Sequence, residues 1–214
     1  MDLLSVTELY IFGNHAVSNA EAYHEVQSRM VQNDGTVKNG GIQTLEDLKQ
    51  LKHLKFIHIA LQDITDLSPL AQLPALETID LIHNPVEDVS PLSTLFSLHD
   101  LSLFDSRVSD FSVLSTCPLL SYIDAGKTRI TSLQAFSGIS GLAQLSLRGT
   151  SLKSLDGIES LSGLEQISLG AVQSHDLTAL NSLPLLEKVS LSEDLRKDAT
   201  RDLPDAAFEI VYSD

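Results

Sequence analysis

The chain has 214 residues, with 14 Lys and Arg against 29 Asp and Glu, a net charge of −15. Such a polyanion repels phosphate backbones and anionic lipid surfaces, and no basic patch offsets it, so we expect no nucleic-acid partner. The first residues carry neither a basic segment nor a long apolar run, so we expect no signal peptide and no membrane insertion. Localisation stays open: cytoplasmic if Met1 is the natural start, secreted or at the cell surface if the chain is trimmed from a longer protein.

A strict repeat organises most of the chain, because leucines recur every 22 residues. They are Leu54, Leu76, Leu98, Leu120, Leu142, Leu164 and Leu186. A fixed period of about 20–29 residues with several apolar positions per unit is typical of a leucine-rich-repeat solenoid. We therefore predict an α/β solenoid: a leucine-rich-repeat horseshoe with a curved parallel sheet, short turns or 3₁₀ pieces on the convex side, and helical caps at both ends.

The first predicted unit is an amino-terminal cap spanning residues 1–41. Alternating apolar residues at its start predict a strand at 7–12, and projecting the 22-residue period backwards predicts another at 35–38. Between them, Ser18 and Glu21 form an S-x-x-E capping box that predicts an inserted helix. An atypical first unit of this kind shields the end of the core from water.

The predicted repeats occupy residues 42–191. Asp66 and Ser68, with their copies in the next repeats, are interpreted as turn residues and not as catalytic groups, since both side chains bond backbone amides at turns. Cys117 stands in a leucine position, so we predict a core residue and not a reactive thiol. Strands are predicted at 56–60, 78–82, 100–104, 122–126, 144–148, 166–170 and 188–192.

A column of polar residues follows the strands, at a position where such repeats usually place an asparagine that bridges neighbouring turns. Here the column reads Gln62, Asn84, Ser106, Thr128, Thr150 and Val172. Ser and Thr satisfy fewer backbone groups than Asn, and Val satisfies none. The sequence therefore predicts a thinned hydrogen-bond ladder.

The last predicted unit is a carboxy-terminal cap at 192–214. The charged segment 193–202 predicts a short helix stopped by Pro204. A closing strand is predicted at 208–212, with Ile210 and Val211 as its apolar residues.

The motif L-x-x-I-x-L-x-x-N-x-V-x-D-V-S-P-L, as it stands from Leu76 to Leu92, resembles the internalin-type, 22-residue class of bacterial leucine-rich repeats. The resemblance covers residues 42–191. It implies a non-enzymatic module that binds a protein or peptide through the concave strand face.

Alternation along each strand places the residues between buried leucines on that concave face. Its amino-terminal half is aromatic, apolar and acidic, and exposed aromatic residues are typical of recognition patches. The predicted protein-binding residues are Phe56, His58, Asp80, Ile82, Asp100, Phe104, Asp105, Tyr122 and Asp124. The alternative is that the aromatic and apolar members pack on one another or on the amino-terminal cap. The acidic members predict a partner with a basic surface, and we expect the chain to be a monomer.

Two further functions stay open from the sequence. One is a metal-dependent or hydrolytic site at His58, Asp80 and His83, with Asp105 as a further ligand. Asp80 separates His58 from Ser102, the wrong order for a Ser-His-Asp relay, and an open strand face has no pocket walls, so we expect no catalytic residue and no cofactor. The other is a structural spacer or a fragment of a larger surface receptor.

Overall fold

The computed structural model describes residues 5–33 and 35–213, and these form one ten-stranded sheet. From the third strand onward each strand pairs in parallel with the next one along the chain, whereas the first two form an antiparallel hairpin. The strands are β1 Glu8–Phe12, β2 His15–Val17, β3 Phe56–Ala60, β4 Thr78–Asp80, β5 Asp100–Ser102, β6 Tyr122–Asp124, β7 Gln144–Leu147, β8 Gln166–Leu169, β9 Lys188–Ser192 and β10 Glu209–Ser213. The predicted solenoid is confirmed.

Short 3₁₀ helices lie between successive strands on the convex side. They span Glu46–Gln50, Ser68–Gln72, Ser90–Thr94, Ser112–Thr116, Leu133–Phe136, Ile158–Ser160 and Thr178–Ser182. The turn before them has the predicted chemistry: the Ser68 amide donates to the Asp66 carboxylate at 2.8 Å, and Ser90 does the same to Asp88 at 2.8 Å. These aspartates and serines are therefore structural residues.

The leucine ladder forms one continuous core, in which every ladder leucine is buried. Cys117 is 4% exposed and lies among the leucines, as predicted. The column of polar residues that follows the strands forms an incomplete set of hydrogen bonds, as expected. Asn84 donates to the carbonyls of two repeats and accepts from the Ile64 amide, whereas the buried Ser106 hydroxyl has no hydrogen-bond partner within the described residues.

The amino-terminal unit differs from the prediction in two ways. Residues 35–38 form no strand, because β1 pairs directly with β3, Leu9 opposite Ile57. The helix α1, Ala20–Val31, is capped by Asn19 and not by Ser18, since the Asn19 side chain accepts from the Ala22 amide at 2.9 Å. Strand β1 thus takes the place of the first repeat strand, and β2 with α1 forms one long insertion after it.

This insertion leaves and rejoins the solenoid at a single point. The Asn14 amide donates to the Lys38 carbonyl at 2.9 Å, and the Lys38 amide donates back to the Asn14 side chain at 2.8 Å. Both flanks require glycine: a Cβ on Gly13 would lie 2.2 Å from the Lys38 carbonyl oxygen, and one on Gly40 would lie 2.1 Å from the Gly13 carbonyl oxygen.

The carboxy-terminal cap follows the prediction closely. Helix α2, Arg196–Asp202, ends just before Pro204, and β10 closes the sheet beside β9. The register differs by one residue from the 22-residue period, since Ile210, and not Val211, lies opposite the buried Val189. Among the described residues, no helix combines the length and apolar character needed to cross a membrane.

Candidate functional site

The inserted helix α1 lies over the amino-terminal end of the concave face. Its Tyr23 and Val26 are buried in a second apolar cluster, separate from the leucine core, together with Phe12, Ala60 and Ile82 of the strand face. Alternation places these last three residues on the same side of neighbouring strands, so the helix covers a surface that the repeat pattern alone leaves open. Ile82 is 6% exposed and packs on α1, which agrees with the alternative that apolar residues of this face contact the amino-terminal cap.

A polar network ties the helix to the strands. The Tyr23 hydroxyl donates to Asp80 Oδ2 at 2.9 Å, the Ile82 amide donates to Asp80 Oδ1 at 3.2 Å, and His58 Nδ1 lies 3.3 Å from Asp80 Oδ2. Tyr10 stacks on the His58 ring with 4.8 Å between centroids. Burial, and then the Asp80 charge, raise the pKa of Tyr23, so this hydroxyl stays protonated and keeps donating to the carboxylate.

Helix and strand face together enclose a groove of about 470 Å³, which we call the cap groove. Its helix wall consists of His24, Gln27, Met30 and Val31. Its strand side consists of His58, Thr78, Ile79, Asp80, Ile82, His83, Asp100, Ser102, Phe104, Tyr122 and Asp124. The expectation that the face has no pocket walls is wrong, because the insertion supplies one.

The floor of the cap groove is acidic. Asp80, Asp100 and Asp124 lie on neighbouring strands, and the lining residues include no lysine or arginine. Burial raises the pKa of Asp124, and the nearby Asp80 adds to the rise, while a hydrogen bond from the Gly126 amide opposes it. Burial and these carboxylates raise the pKa of Tyr122 to about 12.

Phe104 forms the far end of the cap groove and is held in place on three sides. Its ring covers Gly126 in the turn after β6, where a Cβ would lie only 2.7 Å from the ring, so a side chain at this position would displace Phe104. The His83 ring meets it edge-on at 5.5 Å, and the Lys127 ammonium lies 5.1 Å from its centroid. The ring remains half-buried and presents its free surface to the groove.

Beyond Phe104 the face continues as a shallower, polar depression of about 290 Å³. It shares Phe104, Tyr122 and Asp124 with the cap groove and extends past Gln144 to Gln166. Most of the residues added along this depression are polar, among them Gln144, Ser146, Gln166 and Ser168. The two depressions form one path that runs across successive strands of the sheet.

Seven of the nine predicted binding residues line the cap groove: His58, Asp80, Ile82, Asp100, Phe104, Tyr122 and Asp124. Phe56 and Asp105 do not. Phe56 lies at the start of β3, and Asp105 pairs with His83 at 2.8 Å beyond the end of β5.

The sequence prediction missed Tyr10, Tyr23 and the helix wall. For Tyr10 and Phe12 the sequence does contain a signal, because they alternate with the core residues of β1. They lie opposite His58 and Ala60 of β3 and so extend the concave face by one strand. No comparable signal pointed α1 towards this face.

The residues of the alternative metal or hydrolytic site lie in two pairs and not in one cluster. His58 pairs with Asp80 and His83 pairs with Asp105, as two separate contacts. Across residues 5–33 and 35–213, no three His, Cys, Asp or Glu side chains are arranged to hold a metal ion.

Comparisons with known proteins agree with this architecture. The family "Leucine Rich repeats (2 copies)" matches residues 52–94. Internalin C2 of Listeria monocytogenes has a similar structure, with a TM-score of 0.67 and 25% sequence identity over 81% of this chain and 77% of that one. A leucine-rich-repeat protein of Leptospira interrogans shares the fold, with a TM-score of 0.61 and 21% identity over 82% of this chain and 53% of that one. A search of curated protein sequences gave no match.

The predicted resemblance to bacterial, internalin-type leucine-rich repeats is thus confirmed. A fold of this kind generally serves as a protein–protein interaction module.

Proposed function

We propose that this chain is a non-enzymatic binding module that holds a protein or peptide partner on the amino-terminal half of its concave face. The observation that carries the proposal is the cap groove, where an inserted helix turns an open strand face into a walled site. Binding sites are typically concave, largely apolar and equipped with a few placed polar groups, and the cap groove has all three properties.

The anchors of this interaction are Phe104 and Tyr122. Both rings are half-buried, so they are positioned in advance while part of each remains free for a partner. Aromatic residues of this kind dominate interface energetics, and their truncation typically costs about 2 kcal/mol or more when they are true hot spots. The smaller polar side chains further along the face offer a partner fewer anchors.

A paired capture experiment tests the proposal. The intact protein and the double variant Phe104→Ala/Tyr122→Ala are used as baits against protein extracts of the source organism. The control on the same sheet is Lys188→Ala/Ser190→Ala, in β9 and outside both depressions. We expect a partner that the wild type and the control retain and the aromatic variant loses. Circular dichroism and urea unfolding must show that all three proteins are folded.

A partner retained equally by both variants would place recognition on the convex side or the caps and would end the concave-face proposal. The absence of a specifically captured protein with all three baits would instead favour the alternative of a spacer within a larger surface receptor, whose own face binds nothing.

A further inference from the structure

We propose that the cap groove receives an extended segment of the protein partner in which a lysine or arginine stands beside a large apolar residue. This inference rests on the proposed protein-binding function and adds to it the chemistry of the partner. It follows from the shape, the apolar surface and the charge of the groove.

The shape favours a chain and not a compact ligand. The volume of about 470 Å³ is within the range of sites that enclose a small molecule or a few side chains. The cap groove is not closed at its far end, however, because Phe104, Tyr122 and Asp124 also line the next depression across the sheet. An occupant that fills both depressions must run across several strands, as an extended polypeptide does.

The helix wall supplies apolar surface with no cover of its own. Met30 lines the groove near the end of α1, and Val31 beside it is 76% exposed, an unusual exposure for a large apolar side chain. Across the groove they face Ile82 and Phe104. An apolar side chain of the partner placed between these two walls removes this surface from water.

The charge of the floor favours a cation. Asp100 and Asp124 form no ion pair with a lysine or arginine in the described part of the chain, although the charge of Arg148, in the next depression, opposes the rise that burial causes in the pKa of Asp124. Among the described residues, Asp100 is bonded only by the Thr78 hydroxyl, at 3.3 Å. The two carboxylates flank Tyr122, whose ring offers a face to a cation. A bound ammonium or guanidinium group would neutralise charges that repel one another in the free protein.

Lysine and arginine meet both demands with one side chain. Their aliphatic stems pack on apolar surface while their charged ends reach polar groups, so one residue can contact Phe104 and the aspartates together. A free polyamine offers the charge but has no backbone or apolar neighbour to fill the rest of the path. The partner's own segment is therefore the occupant that matches all lining residues.

The test is selection from a displayed random twelve-residue peptide library on the full-length protein, followed by titration of the selected peptides by fluorescence anisotropy. We expect the selected peptides to share a lysine or arginine next to a large apolar residue. Replacing the basic residue with its neutral analogue, norleucine for lysine or citrulline for arginine, should weaken binding about tenfold or more, since charge pairs inside an interface contribute strongly.

Matched charge variants locate the effect. Asp100→Asn/Asp124→Asn should weaken binding about tenfold or more, whereas Glu165→Gln/Glu187→Gln, which removes the same charge from exposed positions outside the groove, should change it less than about twofold. Peptides without a basic residue, equal effects of the two charge variants, or competition by spermidine at concentrations matching the peptide Kd would each overturn the inference.

These outcomes separate the inference from the function beneath it. Selected peptides that lack a basic residue but still require Phe104 and Tyr122 would overturn the partner chemistry alone and leave protein binding on the concave face intact. Failure of the capture experiment described above would instead remove the function itself.

Discussion

In the described part of the chain, the Tyr23 hydroxyl makes the only hydrogen bond between α1 and the acidic floor of the cap groove, and we predict that Tyr23→Phe destabilises the packing of α1 on the strands. The tyrosine is 1% exposed and its hydroxyl lies 2.9 Å from Asp80 Oδ2. Phenylalanine fills the same space, so the variant removes the hydrogen bond with little change in packing.

The expected cost follows from the surroundings of the carboxylate. Hydrogen bonds to charged groups contribute about 1.5–3 kcal/mol, but Asp80 keeps its contacts with the Ile82 amide and His58 after the change. The Asp80 side chain is also 15% exposed, so water from the groove replaces part of what is lost. We therefore expect a loss of about 1–2 kcal/mol in the free energy of unfolding.

Urea unfolding and hydrogen exchange of the α1 amides measure this loss. Tyr10→Phe is the matched control: it removes a hydroxyl that donates at 3.1 Å to the exposed Glu8, so it should cost about 0.5 kcal/mol or less. In an Asp80→Asn background the cost of Tyr23→Phe should shrink, since the charged acceptor is gone. Equal losses for the two tyrosine variants, with α1 protection unchanged, would refute the assigned bond.

Further predictions concern the repeats. Leu103→Ala should lower the free energy of unfolding by about 2–5 kcal/mol, whereas Ser102→Ala should cost about 0.5 kcal/mol or less; equal urea midpoints would refute the strand register. Cys117 should resist a thiol reagent in the native protein and react on unfolding, and fast native labelling would contradict its burial. Ser106→Asn should raise the free energy of unfolding by about 0.5–1.5 kcal/mol by restoring the side-chain bonds that an asparagine makes one repeat earlier, and a loss in urea unfolding would show that the column lacks room there. Because the folded pKa of Tyr122 lies at about 12, above its ordinary value of 10, the stability it contributes is complete below about pH 10 and falls as the pH rises towards 12; a pH series of urea unfolding should show a shallower fall for Tyr122→Phe.

The repeats could be predicted closely because each position recurs many times. A one-residue slip of a strand would turn a buried residue such as Ile79 of β4 towards the concave surface, so the period fixes which residues are buried and which face that surface. Seven of the nine predicted site residues line one groove for this reason. Of the two exceptions, Asp105 lies beyond the end of β5, where alternation no longer determines which way a side chain faces. Phe56 keeps the register of Asp100 and Tyr122 but does not line the groove.

The cap could not be predicted as well, because its contacts occur once and join residues far apart in sequence. Tyr23 meets Asp80 across 57 positions, and nothing in the local pattern of either residue encodes the other. The missing strand at 35–38 has the same origin. The 22-residue period does not hold across the insertion. Because β1 pairs directly with β3, the hydrogen bonds of the sheet are complete without residues 35–38.

The hydrogen-bonded junction between Asn14 and Lys38 has an evolutionary consequence. Because the segment between them departs and returns at neighbouring backbone groups, its length is fixed only by these two ends, while side chains such as Tyr23 and Val26 hold it on the strand face. A replacement of different length with matched ends adds little loop-closure entropy. Grafting another segment at this junction would present a new wall to the same aspartates and aromatics, so recognition can diverge by exchange of one cassette while the leucine scaffold goes on supplying the stability.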